Sequence, residues 1–230
     1  MPPPRRSGAV PLPRGDAARE DLKGKHILVT AGPTHEPIDP VRLIANRSSG
    51  RQGFAIAAAA AEAGARVTLV AGPVALDTPA GVDRIDVETA EEMAEAVFGA
   101  IPADAAILVA AVADWRVEPS PSKLKKSEGP PRLSFVPTRD ILAELAPAAN
   151  RPRLLVGFAA ETEHVVDQAI AKRQAKRADW IVANDVSGDV MGGHRNRVHL
   201  ITNDGVEDWP EGSKDEVARR LIARVAEALI

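Results

Sequence analysis

The sequence predicts an α/β fold, a doubly wound, mainly parallel sheet with helices on both faces and an antiparallel β-hairpin towards the C-terminus. Three observations carry this expectation. Short apolar runs rich in Val, Ile and Leu recur at intervals that leave room for one helix each. Ala-rich or amphipathic segments, two of them opened by capping boxes, fill those intervals. Near the end, two β-forming runs flank the turn sequence Asn203-Asp204-Gly205.

The elements follow in chain order. The first 13 residues contain five prolines and no apolar periodicity, so residues 1–22 are expected to be a disordered Pro/Arg-rich tail or linker. The folded domain is then residues 23–230. His26-Ile27-Leu28-Val29-Thr30-Ala31 is a buried strand, followed by a long loop over 32–51. Residues 54–63 are nearly all Ala with Phe and Ile, a helix that Gly64 closes. Strands are expected at 66–71 and 84–87. Thr89 with Glu92 then caps a helix running to about Ala100. The run 105–112 is apolar throughout, as a central parallel strand should be. A polar, proline-containing loop covers 113–137, and Thr138 is positioned to cap a helix at 139–145. A strand at 154–159, a helix at 163–176 with a basic end, a strand at 180–183 and a hairpin over 198–202 and 206–209 complete the pattern. Ser213 with Glu216 caps the last helix. Right-handed crossovers give a Rossmann-like strand order 3-2-1-4-5-6, with ligands expected beyond the carboxyl ends of strands 1 and 4.

Composition narrows the function classes. With 230 residues, 45% hydrophobic and 27% charged, the chain can bury a core without metal or disulfide staples. Lys plus Arg number 29 against 32 acids, a net charge of −3, which argues against a nucleic-acid-binding face. No apolar run approaches a membrane span and no signal peptide is visible, so a cytoplasmic protein is expected. Cysteine is absent, which excludes thiolate nucleophiles and Cys-ligated metals. Tyrosine is absent as well, which removes the general acid of short-chain dehydrogenases. The five histidines have no metal-site spacing, and none is assigned a role.

The loops at the carboxyl ends of the strands carry the chemistry. Asn46-Arg47-Ser48-Ser49-Gly50-Arg51-Gln52-Gly53 places two glycines at a helix start, where free N–H groups suit an anion. Close helix–sheet packing explains Gly50 and Gly53 equally well. A dinucleotide fingerprint would follow the first strand at once, and here it does not. The second strand also ends in Val70-Ala71-Gly72-Pro73, without an acid for a ribose. Asp114 leaves the fourth strand as a candidate ligand or Mg²⁺ contact, or else as a cap. Lys123-Leu124-Lys125-Lys126 lies between prolines, either as a lid bringing cations to a triphosphate or as a solvated face. Phe158 either stacks on a base or fills core. Lys172 and Lys176 share one helix face by their i, i+4 spacing.

Taken together, the segments TAGPTHEPIDPVRLIANRSSGRQGFAIA, VTLVAGPV, AAVADWR, KLKK, GFAAET and ANDVS resemble phosphopantothenoylcysteine synthetase, the phosphopantothenate–cysteine ligase of coenzyme A biosynthesis, in its bacterial CTP-using form. The resemblance runs from about Lys23 to the C-terminus. It implies a ligase that joins 4′-phosphopantothenate and L-cysteine through an acyl-cytidylate, with Mg²⁺ and CTP, releasing pyrophosphate and then CMP. It implies Asn46 at the acyl-phosphate and Lys123 on the triphosphate from a mobile loop. Leu108, Val109, Ala110, Asp114, Arg139, Asp140, Ile141 and Leu142 would line the cytidine nucleotide site, completed by Phe158, Lys172 and Lys176. Gly50, Gly53 and Asn184 would position substrate phosphate or acyl groups. It further implies a homodimer and a flavin-dependent decarboxylase domain N-terminal to this one in a parent chain, which leaves open an excised domain or a free-standing enzyme. Where the bacterial form often carries Asn-Pro-Asp, this chain has Thr138-Arg139-Asp140. The competing readings are a non-catalytic nucleotide-binding module and an NAD(P)-binding reductase.

Overall fold

The computed structural model describes residues 5–6, 21–161, 163–185 and 195–230. In chain order the strands are β1 (Arg5–Arg6), β2 (His26–Ala31), β3 (His35–Pro37), β4 (Leu43–Ala45), β5 (Arg66–Ala71), β6 (Val82–Asp86), β7 (Ala105–Leu108), β8 (Trp115–Val117), β9 (Phe135–Pro137), β10 (Leu154–Glu161), β11 (Trp180–Asp185), β12 (Arg195–Ile201) and β13 (Val206–Ser213). The α-helices are α1 (Arg51–Glu62), α2 (Ala90–Gly99), α3 (Ile141–Leu145), α4 (Val165–Lys176) and α5 (Lys214–Leu229).

Nine strands form one sheet in the order β1-β13-β12-β11-β10-β7-β2-β5-β6. Within it β6, β5, β2, β7, β10 and β11 run parallel, in the expected order 3-2-1-4-5-6. β12 and β13 add the antiparallel hairpin. Alternation along β2 feeds two cores. Ile27 and Val29 join residues of α1 and α5 on one face, and Leu28 joins residues of α2, α3 and α4 on the other. Both capping boxes form as expected, with Thr89 and Glu92 on α2 and with Ser213 and Glu216 on α5.

Several boundaries differ from the expectation, each for a physical reason. Leu22 is fully buried and its N–H donates to the Ala63 carbonyl, so the domain includes the last residue assigned to the tail. Arg5–Arg6 pairs in parallel with β13, and the rest of the expected tail up to residue 20 lies outside the described residues. The strand expected at 105–112 stops at Leu108, because the next backbone groups bond to side chains of β2 and its following loop. The helix expected from Arg139 starts at Ile141. Its cap is the Asp140 carboxylate, which accepts the Ala143 N–H, while Thr138 is held elsewhere. The two loops expected to be irregular each contain a hairpin, β3 with β4 and β8 with β9.

Two glycines permit the close approaches on which the cavity depends. A Cβ on Gly53 would lie 2.5 Å from Ala31 Cβ, so only glycine lets α1 pack this tightly on β2. A Cβ on Gly72 would lie 1.7 Å from the Pro33 carbonyl oxygen, a backbone atom. Gly72→Ala is therefore expected to destabilise the fold by about 1–3 kcal/mol, read as a lowered midpoint in urea unfolding.

Candidate active site

The cavity lies beyond the carboxyl ends of β2, β7 and β10, with a volume of about 700 Å³. Its floor is built first. Thr30 Oγ1 accepts the N–H groups of Val109 and Ala110, each at 3.1 Å. The Ala111 N–H donates to the Gly32 carbonyl, and the Ala113 N–H donates to Thr34 Oγ1 at 2.9 Å. Asn46 Nδ2 donates to the Val112 carbonyl at 2.9 Å. Thr138 completes the strap, its N–H bonded to the Asp114 carbonyl and its hydroxyl to the Ala113 carbonyl. Residues 109–114 thus leave the sheet as a strap whose backbone partners come from both sides.

One end of the cavity is the entry to α1. Gly50 caps α1 with a φ of 72° and offers no side chain to the first turn. Arg47, Ser48, Ser49, Arg51, Gln52 and Gly53 line the cavity here, joined by Lys214 from the start of α5.

The other end is formed by α3 and α4. Asp140 receives the Lys176 ammonium in an ion pair. Burial works against its carboxylate, but the bonds from Lys176 and the Ala143 N–H, with the charges of Lys176 and Lys172, outweigh it and hold its pKa below the ordinary value. Lys172 Nζ donates to the Phe158 carbonyl at 2.8 Å. Burial drives the pKa of Lys172 down from the ordinary lysine value, against the opposing pull of Glu161, Asp140 and Asp114. Arg139 is held by Glu91 and Glu144 and lies 5.3 Å over the Phe98 ring, which ties the segment before α3 to α2.

The expected site residues gather around this one cavity, with one exception. Asn46, Gly50, Gly53, Leu108, Val109, Ala110, Asp114, Arg139, Asp140, Ile141, Leu142, Phe158, Lys172, Lys176 and Asn184 all line it. Asn184 carries a buried Oδ1 that has no hydrogen-bond partner among the described residues. Lys123 is exposed and lies outside the lining. The reason is a tether on its neighbour: Leu124 donates its N–H to Asp39 Oδ2 at 3.1 Å, and its carbonyl accepts from Arg42 at 2.8 Å. The Arg42 guanidinium beside Asp39 holds that carboxyl well below the usual carboxylate range, so the tether persists where an ordinary aspartate protonates.

Sequence reasoning assigned no role to Thr30, Arg47, Arg51, Gln52, Glu161 or Lys214, which also line the cavity. Arg47, Arg51 and Gln52 stood within a segment already singled out. Lys214 had no such signal, since only packing of α5 on α1 brings it there.

A doubly wound sheet with a cationic cavity at its switch point defines an α/β domain whose cavity lies where such folds bind their ligands. Residues 22–229 match the family described as the DNA/pantothenate metabolism flavoprotein C-terminal domain, and the chain belongs to that family. It is 45% identical over 214 residues to the coenzyme A biosynthesis bifunctional protein CoaBC of Vibrio parahaemolyticus, covering 90% of this chain and 54% of that protein. The protein of the same name from Escherichia coli is 45% identical over 212 residues, covering 89% of this chain and 52% of that protein. The chain thus spans about half the length of these curated relatives. A crystal structure of the C-terminal domain of a CoaBC protein aligns with a TM-score of 0.79 at 40% identity, covering 91% of this chain and 98% of that one.

Because Lys172 is desolvated, its charge opposes folding below its lowered pKa, and the penalty fades as pH rises towards the ordinary lysine value. Lys172→Met is expected to raise unfolding free energy relative to the parent at neutral pH. The gap between the two should narrow as pH approaches about 10.4, measured by urea unfolding across pH.

Proposed function

We propose that this chain is a ligase joining 4′-phosphopantothenate to L-cysteine through an acyl-cytidylate, with CTP as co-substrate, in coenzyme A biosynthesis. The observation that carries the reading is a single cavity with cations at both ends, Arg47, Arg51 and Lys214 at one and Lys172 and Lys176 at the other. Two phosphorylated substrates can then meet over the 109–114 strap. Relatives that are 45% identical to this chain over 212 to 214 aligned residues and are named for coenzyme A biosynthesis support the same reading.

In the first step a carboxylate oxygen of 4′-phosphopantothenate attacks the α-phosphorus of CTP. The bond from that phosphorus to the bridging oxygen breaks, and pyrophosphate leaves. In the second step the amine of L-cysteine attacks the acyl carbon, the C–O bond to CMP breaks, and the amine proton is released. Neither step requires a protein nucleophile, in keeping with a chain that contains no cysteine. Orientation and charge stabilisation supply the catalysis. In this reading Asn46, which donates to the Val112 carbonyl, contacts the acyl-phosphate. Lys172 and Lys176 face the nucleotide phosphates, and Lys123 reaches the triphosphate when its loop leaves the Asp39 tether. Asn184 Oδ1, a buried acceptor without a donor among the described residues, suits an N–H or O–H of substrate.

Magnesium enters this reading with the triphosphate. No cluster of three metal-ligating side chains exists among the described residues, which fits an ion carried mainly by substrate phosphates. The carboxylate of Asp114 would hold it, and the ion would neutralise phosphate charge. The flavin-dependent decarboxylase domain and the cytoplasmic setting belong to the same reading. No helix among the described residues is long and apolar enough to cross a membrane.

The homodimer is assigned to the two small hairpins. Val41 and Leu43 on one, and Trp115, Phe135 and Val136 on the other, are exposed large apolar residues. The hairpins are joined by the Ser120 N–H donating to the Ile38 carbonyl at 2.9 Å. The double variant Trp115→Glu/Phe135→Glu is expected to halve the mass measured by light scattering.

Pyrophosphate release with 4′-phosphopantothenate and each nucleoside triphosphate, with and without L-cysteine, tests the activity. Release with CTP is expected, with an amide product by mass spectrometry only when cysteine is present. Asn46→Ala should lower turnover by about 100-fold or more while the fold survives. Nucleotide binding without pyrophosphate release would favour a binding module instead.

A further inference from the structure

A charged side chain on the edge strand β6 grips the start of α1 from outside the cavity. Arg84 stands opposite Leu69 of β5, a residue of the core shared with α1 and α5, and so faces that core. Its guanidinium lies 5.2 Å over the ring of Phe54, near the start of α1. Each of its nitrogens has its own acceptor. Nε donates to Asp86 at 2.7 Å, one terminal nitrogen to the Leu76 carbonyl at 2.7 Å and the other to the Val74 carbonyl at 3.5 Å. Residues 72–81 form neither helix nor strand, so these bonds supply what a ladder would. Val74 in turn bears on the turn that opens α1. Its Cγ1 lies 3.1 Å from where a Cβ would stand on Gly50, and 3.2 Å from the same position on Gly32. Arg84 thus holds the start of α1 twice, directly through Phe54 and indirectly through Val74. None of Arg84, Phe54, Val74 and Leu76 lines the cavity, whereas Gly50, Arg51, Gln52 and Gly53 do.

We propose that Arg84 is a positioning residue of the reaction, which sets the α1 wall of the cavity through Phe54 and Val74 without touching substrate. The proposal rests on the ligase reading above, in which Lys172 and Lys176 face the nucleotide and the acid substrate meets the α1 end. A shift of the helix start by a fraction of its own width changes where Arg51 and Gln52 stand, and binding groups tolerate little misplacement. The α3–α4 end is fastened by other contacts, so the effect is confined to one substrate. An arginine suits the task because its planar fork meets three acceptors in different directions, and a single ammonium does not.

The test compares the parent chain with Arg84→Met, Arg84→Lys and Asp86→Asn, each first shown to be folded by thermal unfolding. Methionine keeps an apolar stem against Phe54 and has no donor. Asp86→Asn loosens only the ion pair, whose acid is largely exposed. KM and kcat are measured for 4′-phosphopantothenate and for CTP. Arg84→Met is expected to raise KM for 4′-phosphopantothenate by about 10-fold, with kcat and KM for CTP held within about twofold. Arg84→Lys should recover part of the loss, and Asp86→Asn should match the parent. If Arg84→Met does not fold, Arg84→Lys against the parent carries the same comparison with a smaller shift. An unchanged KM for 4′-phosphopantothenate, or equal rises for both substrates, overturns the proposal. If the parent turns over no nucleotide, the ligase reading fails, and hydrogen exchange followed by mass spectrometry decides this proposal alone. Faster exchange in the Arg84 variant confined to residues 47–54 and 72–76 supports it. Exchange equal to the parent, or raised throughout the sheet, overturns it.

Discussion

Thr30 offers one hydroxyl to two backbone N–H groups, and the shape of the cavity depends on that substitution. A chain leaving a central parallel strand must pair its N–H groups with something, since each one buried and unpaired costs about 1–3 kcal/mol. Beyond Leu108 the Thr30 side chain takes the place of a neighbouring strand, and Thr34 does the same for Ala113. Residues 109–114 keep backbone bonds to the β2 segment at Val109 and Ala111, with a parallel bridge between Ala111 and Pro33, and take their remaining bonds from side chains. Their other partners, Asn46 and Thr138, then come from the α1 loop and from the segment before α3. The relative placement of the two ends of the cavity follows from where this strap is fastened.

Charge is distributed unevenly around that strap. At the α3–α4 end each cation has an acid within reach, so Asp140 and Lys176 pair and Lys172 is moderated by three carboxylates. At the α1 end Arg51 bears on Lys214 without such moderation among the causes that shift it. The first arrangement holds its cations in place through acids of the protein itself. In the second, burial and the neighbouring guanidinium both oppose the charge of Lys214.

The strand order and both long-helix caps were legible because they rest on local patterns. Apolar runs mark the parallel strands, and Thr89, Glu92, Ser213 and Glu216 stand at capping spacing. Where the reading failed, a distant partner overrode a local preference. The run 109–112 is as apolar as a strand, yet Thr30 and Asn46, far away in sequence, supply its partners. Thr138 is a good cap by type, but its hydroxyl is used by Ala113 and the role passes to Asp140. Most of the expected site residues line the cavity because they lie in loops at strand ends, where topology alone collects them. Lys214 was not, because only the packing of α5 on α1 brings it to the cavity, and Lys123 was placed without knowledge of the Asp39 tether.

The helices around the cavity are anchored very unequally. Seven residues of α1 and seven of α5 are buried, whereas only Ala169 is buried on α4. Each end of α4 is flanked by a non-glycine residue in the left-handed region, His164 at a φ of 49° and Arg177 at 52°. The helix that carries Lys172 and Lys176 therefore belongs to the least protected part of the domain. Its amides should be among the first to exchange with solvent, through local opening that leaves the rest of the sheet intact. A ligand that bridges α4 to β10 would suppress that opening by mass action. Occupancy of the cavity would then be readable as slowed exchange confined to one helix.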